Sequence, residues 1–224
     1  MKPAFSLFSC TVATALVVTG CVPADETDGP VDAPVRSEAD ARALITKAEK
    51  SAEAQAQDCL LMVWSNQNQR DIEFDRAHDL VDGGAISCAT GTSASRFDAA
   101  LSALRDAARA GDRARVFEQV GLPLLYIDRA GNRIELKTEE EVEAVYDEIF
   151  TTRLVDMLDD VELEEMTVVP ERGGFFRLGA LWLVVEKNGG DPRLVTVNQQ
   201  ALEEAAEAAR RKARNREGKP VSAG

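Results

Sequence analysis

Histidine is almost absent from this sequence: His78 is the single one in 224 residues. That count excludes a metal site built on two or three imidazoles, and no metal is expected. Positive charge is also in deficit, with 26 Lys and Arg against 39 Asp and Glu and a formal net charge of −13. A chain this acidic is repelled by phosphate backbones, and no basic patch is large enough to overcome that, so nucleic acid is excluded as a partner. The glycine pairs Gly83-Gly84, Gly173-Gly174 and Gly189-Gly190 belong to no GxGxxG or P-loop pattern. They read as turns, and no cofactor is expected.

What is present begins with an address. Residues 1–20 carry one charge, Lys2, and an apolar stretch from Ala4 to Val18 that Ser and Thr interrupt too often for a spanning helix. This is the form of an export signal. It ends in Val18-Thr19-Gly20-Cys21, which resembles the bacterial lipobox: a branched apolar residue, a small one, glycine, then the cysteine that is acylated and becomes the first residue. The resemblance implies a signal peptide over 1–20, lipidation of Cys21 and a membrane partner held through the lipid anchor. Several acyl chains, each contributing ~0.8 kcal/mol per buried methylene, make such an anchor effectively permanent. Residue 22 is Val rather than Asp. By the Gram-negative sorting pattern, that implies the periplasmic face of the outer membrane rather than the inner one.

Residues 21–36 hold Pro23, Pro30 and Pro34 among Asp25, Glu26, Asp28 and Asp32, with little that a core could bury. They read as a tether reaching on the order of 45 Å at ~3.1 Å per residue. Of the four cysteines, Cys10 leaves with the signal and Cys21 is acylated, so Cys59 and Cys88 remain to pair in an oxidising compartment. The alternative is a free Cys88 acting as nucleophile within Ser87-Cys88-Ala89-Thr90-Gly91-Thr92.

Ser37-Glu38-Ala39-Asp40 forms a capping box, and Ala41, Leu44, Ile45, Ala48 and Ala52 follow at helical spacing, predicting a helix to about Gln57. Leu60 to Trp64 reads as a buried strand or helix turn, and the polar segment up to residue 94 yields no regular element. Residues 37–94 are thus an N-terminal extension, helical and irregular, containing the disulfide.

From Ser95 the pattern sharpens. Ser95 caps a helix whose apolar face is Phe97, Leu101, Leu104 and Ala108, and Asp112 caps a short second one ending at Gly121. Leu122 to Ile127 and Arg133 to Leu136 form a hairpin around Asp128-Arg129-Ala130-Gly131-Asn132. Thr138 opens a long amphipathic helix through Val142, Val145, Tyr146, Ile149, Phe150, Leu154 and Leu158, with Glu139, Glu140 and Glu141 as its favourable first turn. Three strands follow, Leu163 to Val169, Phe175 to Glu186 and Leu194 to Asn198. The middle one is apolar on both faces, as a covered central strand is, and Gly179 permits it to bend. Leu202 to Arg216 is an alanine-rich helix whose acidic start and basic end compensate its dipole.

This order of helices, hairpin, helix and meander resembles the NTF2-like superfamily. Leu122-Pro123-Leu124, Tyr146-Asp147-Glu148-Ile149-Phe150, Phe176-Arg177-Leu178-Gly179-Ala180-Leu181-Trp182 and Val195-Thr196-Val197-Asn198 carry the resemblance over residues 95–200. It implies an α+β cone, a curved antiparallel sheet packed on a long helix, with additional N-terminal and C-terminal helices, the latter in 201–224. Members of the superfamily include isomerases, dehydratases, small-ligand binders and protein-binding modules. Enzymatic members typically place Asp, His or Tyr in a pocket, but His78 lies upstream of the matching region. A catalytic alternative of isomerase, dehydratase or hydrolase type therefore rests on a buried carboxylate aided by a tyrosine, with Tyr126, Asp128, Tyr146 and Asp147 as candidates. Each also has a purely structural explanation in a strand, a turn or a helix face. Arg177 and Trp182, in the middle strand, are candidate ligand contacts, since an arginine in an apolar strand must reach solvent, a pocket or a carboxylate. The expected function is a non-catalytic envelope lipoprotein that binds a small apolar ligand or an envelope protein.

Overall fold

The computed structural model describes residues 38–186 and 190–217. The signal peptide at 1–20, Cys21 and the tether over 21–36 lie outside the described residues. Residues from Arg42 onward form one compact unit, and the architecture below concerns that unit.

Helix α1 runs over Glu38–Ser65, well past the predicted end at Gln57. Leu60 to Trp64 continues it, so of the two readings expected there the helix turn holds and the strand does not. Its docked stripe is Ala56, Leu60, Val63 and Trp64, all buried, a helical spacing one segment further along than predicted. Ile45, Ala48 and Ala52 stay exposed. The buried volume of the last two turns, rather than the alanine-rich first half, is what attaches this helix.

The segment without a sequence pattern folds into α2 (Ile72–His78), a two-stranded ribbon of β1 (Leu80–Val81) and β2 (Gly84–Ala85), and α3 (Ile86–Thr90). Gly83 turns the ribbon at φ +87°, and a Cβ there would lie 2.3 Å from the Val168 carbonyl oxygen. Only glycine fits. Three aspartates at four-residue spacing organise the segment. Asp71 caps α2 by accepting from Phe74 N at 3.0 Å. Asp75, fully buried, accepts from Trp64 Nε1 at 2.7 Å and from Ser95 N at 2.8 Å. Asp79, also buried, accepts from Ser87 N at 2.8 Å and Ser87 Oγ at 2.7 Å.

Helix α4 (Ala94–Ala110) buries Phe97, Ala100, Leu101, Leu104, Ala107 and Ala108, the face read from the sequence. Its N-cap is Ser93 rather than Ser95, and that serine makes no side-chain cap bond; the carboxylate of Asp75 supplies the missing acceptor. Helix α5 (Arg113–Phe117) begins at the Asp112 cap as expected, but it stops before Gly121, which lies inside β3 (Val120–Ile127). Strand β4 (Arg133–Leu136) completes the expected hairpin, registered Tyr126 to Ile134.

The single long helix predicted from Thr138 is three short ones, α6 (Glu139–Ala144), α7 (Tyr146–Ile149) and α8 (Thr152–Asp160). Val145 leaves helical geometry at ψ 17° and Phe150 at ψ 56°, and Thr151 restarts the chain by accepting from Leu154 N. The stripe itself is correct: Val142, Tyr146, Ile149, Phe150, Leu154 and Leu158 are all buried. Apolar spacing reports the buried face but not whether the backbone bends between turns.

The chain then makes a 3₁₀ turn at Leu163–Glu165, β5 (Thr167–Val169), β6 (Gly173–Phe176), a second 3₁₀ turn at Arg177–Gly179, β7 (Leu181–Val184), β8 (Arg193–Asn198) and α9 (Gln199–Glu217). The expected central strand from Phe175 to Glu186 is thus corrected to two antiparallel strands. Arg177 and Leu178 take positive φ between them, with Gly179 at +84°, so the predicted bend is a full reversal.

The larger sheet has the order β4-β3-β8-β7-β6-β5 and is curved and unclosed. It is not purely antiparallel as expected, because β8 runs parallel to β3, pairing Tyr126 with Val197. Leu124, Tyr126, Val168, Phe176, Leu181, Leu183, Leu194 and Val197 point to its inner face and are buried against the stripes of α4 and α8. Phe175, Trp182 and Thr196 occupy one cross-strand row on the outer face and are half-buried. This is an α+β architecture, as the sequence indicated. Helix α9 joins the core through Ala201 and Leu202, while Glu207 through Lys212 are exposed.

Replacing Asp75 by alanine strands the buried Trp64 Nε1 donor and the half-buried Ser95 N, each costing roughly 1–3 kcal/mol. Urea unfolding of Asp75→Ala is therefore expected to show a loss of about 3 kcal/mol, with the slope of the transition unchanged. A loss below about 1 kcal/mol would remove this carboxylate as the tie between α1 and α4.

Candidate functional site

The four candidate catalytic residues do not converge. Tyr126 lies on the inner face of β3 and donates its hydroxyl to the Glu148 carbonyl at 3.3 Å. Asp128 closes the β3–β4 turn, where its carboxylate accepts from Ala130 N at 2.8 Å, Asn132 N at 2.9 Å and Asn132 Nδ2 at 2.7 Å. Tyr146 is stacked on Phe150 at 4.7 Å and edge-on to Phe117 at 6.1 Å, with the Arg113 guanidinium over its ring at 4.4 Å. Asp147 stands at the surface and pairs with Arg113 at 2.9 Å.

Electrostatics separates them further. The hydrogen bonds from Asn132 and the neighbouring turn amides hold the Asp128 carboxyl below its ordinary value, the opposite of what a general acid near neutral pH needs. Burial pushes both phenols, Tyr126 and Tyr146, up.

The candidate ligand contacts are also engaged locally. Arg177 reaches a carboxylate, Glu165, at 3.0 Å, one of the three destinations expected of it. Trp182 stacks against Phe175 across β6 and β7 with ring centroids 4.8 Å apart. That pair lies on the sheet face turned away from the core. The inner volume between sheet and helices, where the superfamily resemblance places a ligand, is filled by Phe97, Phe176, Ile149, Leu154 and Leu158, each fully buried.

Cys59 and Cys88 are joined at an S–S distance of 2.03 Å, in agreement with the pairing expected from the cysteine count. The bridge fastens α1 to α3, and in this state Cys88 has no free thiol to act as a nucleophile. A cleft of about 430 Å³ opens beside it. One wall is α1 at Cys59, Met62 and Val63, another is α3, and the third is Gly173 of β6 with Val185 just beyond β7. Among the described residues, Glu171 and Glu186 supply the only ionisable side chains in this lining. Glu171 sits in the β5–β6 turn at φ +62°, held by its N–H donating to the Ala89 carbonyl at 2.9 Å. A second, wider cleft lies at the start of α4, where Arg70, Arg96 and Arg193 alternate with Asp71, Glu118 and Asp191. Arg96 is already paired with Asp191 there.

Sequence reasoning missed two groups. The buried carboxylates Asp75 and Asp79 had a signal, the Asp71-Asp75-Asp79 spacing that puts all three on one helical face. The cleft had none, since its walls come from segments more than a hundred residues apart. Among the described residues no group of three or more His, Cys, Asp or Glu side chains is arranged to hold a metal ion, and no helix is long and apolar enough to cross a membrane. Compared with family models, with curated proteins and with solved structures, the chain matches none of them.

Asp79 and Asp128 titrate on opposite sides of the ordinary aspartate value of 3.8. For Asp79, burial outweighs the stabilising bonds from Ser87 and the nearby Asp75 charge adds to the rise. A carboxyl raised in the folded state binds its proton more tightly there than in the unfolded chain. Its contribution to stability is full below pH 3.8 and is lost as the pH rises through the folded value. The stability of the wild type relative to Asp79→Asn is accordingly expected to fall across that interval and level off above it, measured by urea unfolding at a series of pH values. A difference that stays flat, or grows with pH, would contradict the direction of the shift.

Proposed function

We propose that the protein is a lipid-anchored bacterial lipoprotein, acylated on Cys21 and facing the periplasm from the outer membrane, whose body is a non-catalytic protein-interaction module. The support for the anchor is in the sequence: an export signal ending in Val18-Thr19-Gly20-Cys21, followed by a proline-rich acidic tether. The finer family reading, an NTF2-like body, draws support from the element order and from a six-stranded sheet curving over apolar helices.

One observation carries the choice of an interaction module. The interior that would hold a small apolar ligand is occupied by large side chains, whereas Leu61 and Met62 on α1 remain 60% and 66% exposed beside an open cleft. Adjacent exposed apolar side chains at a groove are a feature of protein-binding surfaces. The catalytic alternative with a buried carboxylate and a tyrosine has less to stand on. The candidate groups are engaged separately, Asp128 in its own turn and Asp147 with Arg113, and Tyr126 contacts a main-chain carbonyl instead of a carboxylate.

The test is the intact mass of the mature protein extracted from membranes, before and after reduction and alkylation. The expected product begins at an acylated Cys21 and takes up two alkyl groups only once reduced, one each on Cys59 and Cys88. An unmodified N-terminus would remove the anchor from this reading, and a thiol that alkylates without reduction would return Cys88 to consideration as a nucleophile.

A further inference from the structure

The cleft beside the disulfide has a composition that specifies its occupant. Its lining includes the apolar Met62, Val63 and Val185, and among the described residues its ionisable side chains are two carboxylates, Glu171 and Glu186. Both glutamates are exposed, so each remains able to meet a cation at the rim. Glu171 takes φ +62°, and its N–H bond to the Ala89 carbonyl at 2.9 Å holds its turn against α3. The disulfide holds the α1 and α3 walls at a set separation. We propose that this cleft seats a short peptide segment of a partner protein in which an apolar side chain lies next to a lysine or arginine.

The occupant is a peptide because the cleft is open along α1. A small ligand is held where most of its surface is enclosed, yet Met62 stands 66% exposed and Leu61, one residue earlier, 60% exposed. A chain laid along α1 in the cleft covers Met62, and methionine adapts to the side chain it meets. Charge selects the partner's sign: an acidic segment would face two glutamates on a chain of formal net charge −13, whereas a basic one finds two partners at the rim. The proposal rests on the interaction-module reading and names the surface and the partner chemistry.

The test uses the chain from Val22 onward, which retains the whole compact unit beginning at Arg42. The probe is a fluorescein-labelled hexapeptide of alternating leucine and lysine, with a leucine–glutamate counterpart, titrated by anisotropy. Saturable binding of the first and at least about tenfold weaker binding of the second are expected. Glu171→Gln together with Glu186→Gln, both at exposed positions, should weaken the leucine–lysine peptide by about fivefold. Met62→Ser should weaken it while preserving the charge preference. Equal affinity for the two peptides, or indifference to all three substitutions, would overturn the proposal. Displacement of the peptide by octylammonium at equal concentration would overturn it too, and reassign the cleft to a small amphiphilic cation. Failure here with an acylated Cys21 in the mass measurement sinks only this site and leaves the anchored lipoprotein intact; the reverse pattern does the opposite.

Discussion

Helix α2 brackets the molecule through two buried carboxylates placed one turn apart. Asp79 receives the N–H of Ser87 at the start of α3, and Asp75 receives the N–H of Ser95 at the start of α4. Each acceptor meets the second residue of a helix, where an amide has no intrahelical partner and the dipole favours negative charge. Burying a carboxylate is costly without such donors, and here the donors come with the helices that need them. Trp64 adds the end of α1 to the same junction through its bond to Asp75. The seven-residue α2 and its C-cap Asp79 thereby tie three other helices to one junction.

That junction bears on the sheet. Once the start of α4 is held, Phe97, Leu101 and Leu104 face the inner side of the strands, where they meet Phe176, Leu181 and Leu183. The start of α3 delivers Ile86 to the same core and Cys88 to its partner on α1. Covalent closure of 29 residues stabilises the folded chain by about 3–4 kcal/mol in the chain-entropy account. It also fixes the two walls of the cleft. The proposed binding surface is therefore a by-product of the same bracket that orders the core, and the closed interior leaves the surface as the place for recognition.

Several features were legible in the sequence because they follow from local chemistry. The apolar stripes of α4 and of residues 142–158, the hairpin around Asp128 and the pairing of two cysteines all depend on spacing or on count. The scarcity of histidine and the excess of acid are read from the linear sequence directly, whereas the proposed anchor and tether rest on that sequence alone and lie outside the described residues. What spacing left undetermined was continuity. The stripe through Val142 and Leu158 looks the same whether the helix is straight or broken at Val145 and Phe150, and an apolar run from Phe175 to Val184 looks the same in one strand or two.

Tertiary structure alone decided the rest, because it depends on residues distant in sequence that share one volume. The parallel pairing of β8 with β3 requires the chain to return across some seventy residues. The cleft takes one wall from α1 and another from the end of β7, so no window of sequence contains it. Asp75 illustrates the division best. Its place on a helical face is set by spacing from Asp71 and Asp79, a local matter. That this face is buried, and that its carboxylate caps a helix twenty residues away, follows only when α1, α2 and α4 exclude water together, since a buried carboxylate persists only where the packed fold supplies its donors.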